Sequence, residues 1–406
     1  MVHVVFVAPY LLRATLQFID GAATLPGVRL ILVTQDRLAG VPASVRANLF
    51  RFHRVENVMD ETQLLAAIHE LRAKVGPIHR LIGTLEDLQE TLARVRQTLS
   101  IDGMDPITAG NFRQKSKMKE ILRGNGIPCA KHCLATNRPQ LDAFIDKVGY
   151  PLVAKPPAGA GSRATFQLNH AGDLDNLLSE NSLSTGKPIL FEEFIMGNEY
   201  TFESAWIEGR MKWHSITRYY PSPLEVLNNS WIQWCILLPR EIDHPYFNDI
   251  REIAAKANQC LGIQNGFTHL EWFRRSDGSI AVSEVAARPP GGQLTSITGF
   301  AHQFNIHQEW ARSVIFNQFA EPKRCYAAGA AFLRGQGKGR VAAVQGIKKI
   351  QEELGALIVE MKLPAIGQPP GGGYEGDGYI LVRHPITAVV EKALSRIITS
   401  VRVVLD

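Results

Sequence analysis

The stretch from Gly266 to Gly292, GFTHLEWFRRSDGSIAVSEVAARPPGG, constrains this chain more than any other. Asp277-Gly278 between alternating residues predicts a hairpin with a two-residue type I′ turn, because both central positions of that turn need positive φ. With Ser276 paired to Ser279, the ladder sets Glu271 opposite Glu284, His269 opposite Ala286 and Phe267 opposite Arg288. Strand side chains alternate faces. Phe267, His269, Glu271 and Phe273 would then share one face with Ile280, Val282, Glu284, Ala286 and Arg288.

Two carboxylates across a ladder stand about 5 Å apart and repel. A cation between them removes the repulsion. Oxygen-only ligands suit magnesium, which keeps waters and shares its shell with substrate phosphates. Arg288 follows on the same face, placed to hold an anion beside the metal. Pro289-Pro290-Gly291-Gly292 ends the strand and brings bare backbone to whatever is bound. A solvated, charged hairpin is the competing reading, and one residue of register slip would turn the whole face over.

At 406 residues the chain exceeds what one core normally holds, so two to four domains are expected. A net charge of +5 with no lysine or arginine run fits an anionic small ligand better than nucleic acid. Five scattered cysteines give no disulfide framework, and Cys129 and Cys133 lack the second pair that a zinc site needs. Reduced thiols in a cytoplasmic protein are the expectation. MVHVVFVAPYLLRAT does not read as a signal peptide, and no stretch is apolar enough to span a membrane.

In chain order, residues 2–8 and 28–36 read as buried strands around a helix near 11–20. A helix over 64–75, a strand over 79–84 and a helix over 85–99 follow. That alternation implies a parallel α/β sheet. The dinucleotide fingerprint is missing after the first strand, so no NAD or FAD site is expected. Residues 111–127 read as one basic helix closed by Gly-Asn-Gly. Lys115, Lys117 and Lys119 cannot all share a face there, and a solvated helix surface is the plainer reading.

PLVAK ends in Lys155, PPAGAGS is a small-residue turn, and ATFQL returns as a strand. Backbone N–H groups in such a turn can cradle phosphate oxygens within reach of Lys155. Residues 188–209 hold two strands around Gly197-Asn198. There Glu192-Glu193-Phe194-Ile195 could read an adenine edge and Glu199 could accept ribose hydroxyls; charged edge strands are the alternative. The tract Arg218 to Trp234 is either a substrate pocket or core. Helices are expected at 244–262, 302–318 and 386–398, and QPPGGGYEGDG (368–378) is expected to be a mobile turn.

Taken together, these parts resemble the ATP-grasp superfamily, specifically its carboxylate–amine ligases, over nearly the whole chain. The carriers are the α/β start, Arg113-x-Lys115-x-x-Met118-Lys119, the strand ending Lys155-Pro156, Glu192-Glu193-Phe194-Ile195-x-Gly197-x-Glu199, His269-x-Glu271 and Glu284-x-x-x-Arg288. The resemblance implies a multidomain fold, mixed α/β and α+β. Its parts are a Rossmann-like pre-ATP-grasp domain at 1–100, ATP-grasp subdomains at 101–185 and 186–322, and a small biotin-carboxylase-like C-terminal domain at 323–406.

It implies ATP as substrate with magnesium (or manganese), and small-molecule carboxylate and amine partners. No nucleic acid or membrane is implied, and related ligases are often homodimers. Lys115, Lys155, Ala158, Gly159, Ala160, Gly161, Ser162, Glu192, Glu193, Phe194, Ile195 and Glu199 would bind the nucleotide. Glu271 and Glu284 would hold the metal. Arg288 and Lys155 would act in phosphoryl transfer, and Arg288, His269, Gly291 and Gly292 would meet the substrate. His269 would touch substrate, help deprotonate the amine, or pack as a hydrogen-bonded histidine.

Ala286 replaces the asparagine many members carry, and Ala286-Ala287-Arg288 is similar to the L-amino-acid ligases that make dipeptides. The expected reaction is ATP-dependent amide formation through an acyl phosphate. A ligase of a purine-type intermediate or bicarbonate, or a regulatory nucleotide-binding protein without turnover, are the rivals.

Overall fold

The protein is described here as a computed structural model covering residues 1–159, 164–181, 183, 187–229, 231–371 and 373–406. Its first layer follows from the apolar runs VHVVFVA and VRLILVT, which have no polar face and must be covered on both sides. They form a four-stranded parallel sheet in the order Arg51–Arg54, Val28–Thr34, Val2–Ala8, Arg80–Ile82. Leu64, Ile68, Leu71, Leu92 and Val95 cover one face. The other face packs on Ile306, Trp310 and Ile315, which belong to a helix some 300 residues later. Gly21 lets those helices touch, since a Cβ there would stand 2.8 Å from the His307 backbone. The first layer is thus tied to the rest of the molecule through a shared core.

A second, antiparallel sheet runs His132–Ala135, Ile189–Glu193, Leu152–Lys155, Phe166–Leu168. A third has eight strands, in the order Ile280–Ala286, Gly266–Arg275, Gly197–Ile207, Arg210–Tyr220, Trp234–Leu238, Ala327–Leu333, Gly378–His384, Ile358–Lys362. The C-terminal segment therefore continues the large sheet, and adds a small three-stranded one beside it. Among the described residues no helix is long and apolar enough to cross a membrane.

Several boundaries differ from the sequence reading. The basic helix over 111–127 is two helices, Pro106–Arg113 and Lys115–Gly124, broken where Gln114 is extended. That break turns Lys115 inward. The glycine-rich segment 368–378 is tied down. Asp377 is 5% exposed, and its carboxylate accepts the backbone N–H groups of Gly371 and Gly335 at 2.6 and 2.5 Å.

The hairpin turn also differs. Gly278 has positive φ and Asp277 does not, which excludes type I′. Arg275 accepts from the Gly278 N–H at 3.0 Å and donates to the Ser279 carbonyl at 2.9 Å, so Ser276, Asp277 and Gly278 form a three-residue loop. Near the loop the register is displaced by one, pairing Trp272 with Val282 and Phe273 with Ala281. An irregularity between Glu271 and Trp272 removes the displacement, so Glu271 does face Glu284 and His269 faces Ala286. Ile280 and Val282 consequently leave the expected face and join the core with Leu270 and Trp272.

Three histidines, His302 buried and His214 and His307 half-buried, set an acid limit on this fold. Burial pushes His214 and His307 down to about 4 and His302 to about 3; nearby Arg324 adds to it at His214 and His302. Between about pH 4 and the ordinary value of 6.5 the unfolded chain binds protons that the folded chain refuses. Stability is then complete above pH 6.5 and falls as pH drops toward 4, by on the order of 3 kcal/mol per histidine. Urea midpoints at pH 7, 5.5 and 4.5 should fall steeply, and His307→Gln should flatten the dependence. A pH-independent midpoint over that range would contradict the neutral rings.

Candidate active site

The two antiparallel sheets face each other across a cavity of about 440 Å³, within the ordinary range for small-molecule sites. Its lining includes Lys115, Lys155, Ala158, Gly159, Glu192, Glu193, Phe194, Ile195, Glu199, His269, Glu271, Glu284 and Arg288. These come from five separate stretches of chain, around 115, 155–159, 192–199, 269–271 and 284–288, so their convergence is a product of the fold. Ala160, Gly161 and Ser162 lie outside the described residues. Gly291 and Gly292 are not among the lining residues; they lead instead into the helix Leu294–His302.

The cationic wall is built from the helix break at Gln114 and the strand end at Lys155. Lys115 Nζ donates to Glu284 Oε1 at 2.5 Å and to the Gly159 carbonyl at 2.8 Å. Lys155 Nζ lies 3.0 Å from Glu192 Oε2, and Lys119 Nζ lies 3.3 Å from the other oxygen of the same carboxylate. Lys119 also donates to the Ser283 carbonyl at 2.8 Å and is fully buried. Burial pushes the Lys119 ammonium down, partly offset by Glu192; the two lysines in turn keep the buried Glu192 ionised.

Glu192 was expected in an adenine-reading segment, but its side chain serves as the anion between two lysines. Glu193 accepts from the Lys131 N–H at 3.1 Å and from Arg275 at 3.0 Å. The Phe194 N–H donates to Pro151. Phe194, Ile195 and the 71%-exposed Met196 then line the mouth.

Removing the Glu192 charge should unbalance two buried ammonium groups. Glu192→Ala is expected to cost about 3–5 kcal/mol of folding stability, the usual penalty for breaking a buried ion pair from one side. Chemical denaturation at pH 7 measures it, and a loss under 1 kcal/mol would contradict this role.

The acidic floor lies on one face of the large sheet. Neighbouring strands set Glu199 opposite Phe273, Thr201 opposite Glu271 and Glu203 opposite His269, and Glu271 opposite Glu284. Burial opposes charge on Glu284, but Lys115 and Lys155 overcome it and hold the carboxyl down at about 2. Burial and the Glu271 charge push Glu199 well above the ordinary range. A cation between Glu271 and Glu284 would offset the Glu271 charge that acts on Glu199. The pair supplies only oxygen donors, and among the described residues no cluster of three or more His, Cys, Asp or Glu offers a rival site. These residues fit a magnesium ion that takes its other ligands from water and phosphate.

His269 is 7% exposed, with Nδ1 3.0 Å from Glu203 Oε1 and Nε2 3.5 Å from Glu271 Oε1. Burial works against its charge, yet the bonds to the two carboxylates carry it up to about 9. An imidazole held in that state is a poor base at neutral pH. Its geometry fits a histidine that orients Glu271.

Arg288 Nε donates to Glu86 Oε2 at 2.8 Å, and Arg113 Nη1 donates to Glu86 Oε1 at 3.1 Å. Sequence reasoning missed Glu86, Lys119 and Glu203. Lys119 stands four residues after Lys115 and so shares its helix face, a signal the pattern did contain. Glu86 and Glu203 carried none. In the tract 218–234, Tyr219 and Trp234 join a core cluster while Trp231 is 60% exposed. The cavity wall there is mixed, made by Ser222, Pro223, Leu224, Glu225, Asn228 and Asn229.

Comparison with known proteins points the same way. Residues 120–304 match the family model of the ATP-grasp domain. An L-arginine-specific L-amino acid ligase of Bacillus subtilis is 28% identical over 278 residues, covering 66% of this chain and 64% of that protein. The crystal structure of an L-amino acid ligase from Bacillus licheniformis superposes with a TM-score of 0.78 at 18% identity, over 100% of this chain and 99% of the other. N5-carboxyaminoimidazole ribonucleotide synthetase from Thermotoga maritima gives 0.72 at 18% identity over the full length of both. At those identities the two structures speak for the fold.

Proposed function

We propose that this chain, whose residues 120–304 match the ATP-grasp domain model, is an ATP-dependent carboxylate–amine ligase that joins amino-acid substrates through an acyl phosphate. The observation that carries this reading is the cavity itself: three cations, Lys115, Lys155 and Arg288, face two opposed carboxylates between two sheets. The L-amino acid ligases among the similar proteins favour amino acids as both partners.

A carboxylate is a poor electrophile, so its oxygen must first become a leaving group. In the proposed reaction a carboxylate oxygen attacks the γ-phosphorus of ATP, and the bond to ADP breaks. The amine nitrogen then attacks the acyl carbon, loses its proton to solvent, and inorganic phosphate leaves. Charge on the transferring phosphoryl spreads over its oxygens, so the protein's task is positioning and electrostatics. Lys115 and Lys155 would hold the ATP phosphates, and Arg288 the carboxylate and phosphoryl at the far end. Magnesium on Glu271 and Glu284 would neutralise phosphate charge when bound. Glu199 would accept from ribose hydroxyls, and the hinge Phe194–Ile195 would flank adenine.

Phosphate release from magnesium–ATP, measured with pooled amino acids, tests the reading. Release should require both a free carboxylate and a free amine. ATP binding without amino-acid-dependent release would transfer the site to another carboxylate, such as a purine-type intermediate or bicarbonate, or to a regulatory role.

A further inference from the structure

Glu86 sits in a short turn, Glu86–Leu88, just past the C-terminal end of the strand Arg80–Ile82 in the parallel sheet. It is 5% exposed, although a lone carboxylate is costly to bury. Both of its oxygens are used: one by Arg113 at 3.1 Å, the other by Arg288 at 2.8 Å. Arg113 also pairs with the neighbouring Asp87. Arg288 has a second tie, from Nη1 to the Pro289 carbonyl at 3.0 Å. Its Nη2 edge has no partner among the described residues, and Arg288 lines the cavity.

Arg288 also has other anions within electrostatic reach. Glu284 and Glu271 both act on its guanidinium. An arginine free to choose could fall onto those carboxylates, neutralising the proposed metal site and withdrawing itself from the substrate. A carboxylate supplied from the parallel sheet holds it away through one oxygen, while Arg113 takes the other.

We propose that Glu86 is the positioning residue for Arg288: it fixes the guanidinium through Nε, so that the Nη2 edge meets an anionic phosphoryl or carboxylate group and Glu271 and Glu284 stay free for the metal. This rests on the ligase reading above for the identity of the anion. Glu86 and Asp87 together match the charges of Arg113 and Arg288, so what the assembly offers the cavity is the unpartnered Nη2 edge of Arg288. Second-sphere partners of this kind typically change activity or affinity by about 10- to 100-fold when lost.

The test compares the full-length wild type with Glu86→Gln, Arg288→Ala, the double variant, and Arg113→Met. Glu86→Gln should lower kcat by about 10- to 100-fold while magnesium–ADP affinity stays within about threefold. The double variant should be no slower than Arg288→Ala alone, because the two residues act as one unit. Arg113→Met breaks the junction but leaves Arg288 held, and should retain most of the activity.

A second arm needs no turnover. Calorimetric binding of inorganic phosphate to the magnesium–ADP complex should weaken about tenfold in Glu86→Gln and stay near wild type in Arg113→Met. Additive losses in the double variant, unchanged phosphate affinity in Glu86→Gln, or an equal loss in Arg113→Met would each overturn the proposal. Absence of amino-acid-dependent turnover in the wild type, with the phosphate arm behaving as stated, would instead count against the ligase reading alone.

Discussion

Replacing Arg288 by alanine is expected to lower kcat/KM by about 10³- to 10⁵-fold, the range over which a single arginine stabilises a transferring phosphoryl group. The residue stands at the end of the strand that carries Glu284, and is aimed into the cavity by Glu86 and the Pro289 carbonyl. Its charge is secure: burial acts against it, but Glu86, Glu284 and Glu271 together more than compensate and the guanidinium pKa is raised. Little of this energy would be available in the ground state, since in the proposed site magnesium–ADP would be gripped at the other end by Lys115 and Lys155. The loss should therefore appear in the chemical step. Single-turnover phosphate formation, set beside magnesium–ADP affinity, separates the two. A variant within tenfold of wild type would remove Arg288 from the proposed machinery.

Glu284→Ala carries the other large effect. It removes one of the two proposed metal carboxylates and at the same time releases Lys115, which Glu284 holds at 2.5 Å. Turnover should fall by about 10³-fold or more, since charge stabilisation by the metal supplies several kcal/mol of transition-state energy. Binding of ADP without metal should hold or tighten, because Lys115 loses an internal competitor for phosphate. That opposite pair of outcomes distinguishes loss of the metal site from loss of the fold. A variant with full activity would sink the metal assignment. A variant that loses ADP binding in EDTA would show that Glu284 has a different task.

The hairpin shows how far the sequence could be read and where it ran out. Strand alternation made the shared face of His269 and Glu271, and that of Glu284 and Ala286, legible. The turn itself was not, because a three-residue loop with glycine at its left-handed position uses the same dipeptide as a two-residue turn. The structure reaches the expected pairing only because an irregularity beside Glu271 restores the register that the longer loop displaces. Local propensity does not reveal such compensation.

The parallel sheet was legible from its unbroken apolar strands. The break at Gln114 was not, since nothing in NFRQKSKMK forbids a continuous helix; tertiary burial of Lys115 and Lys119 overrides it. The cross-domain brace was the least legible part. A carboxylate such as Glu86 acquires its meaning only when the shared core around Trp310 brings the parallel sheet against the large one. Residues defined by long-range packing leave no periodic trace, whereas the lysines, the opposed glutamates and the strand-end arginine sit in short motifs with chemistry of their own.

The central claim is that a substrate carboxylate attacks ATP and later surrenders an oxygen to phosphate. The most direct measurement uses an amino-acid substrate labelled with ¹⁸O in its carboxylate and follows the label by mass spectrometry of the products. The account predicts one ¹⁸O in the released phosphate, ADP as the nucleotide product and an amide that retains the other labelled oxygen. Unlabelled phosphate, or AMP with the label, would contradict it.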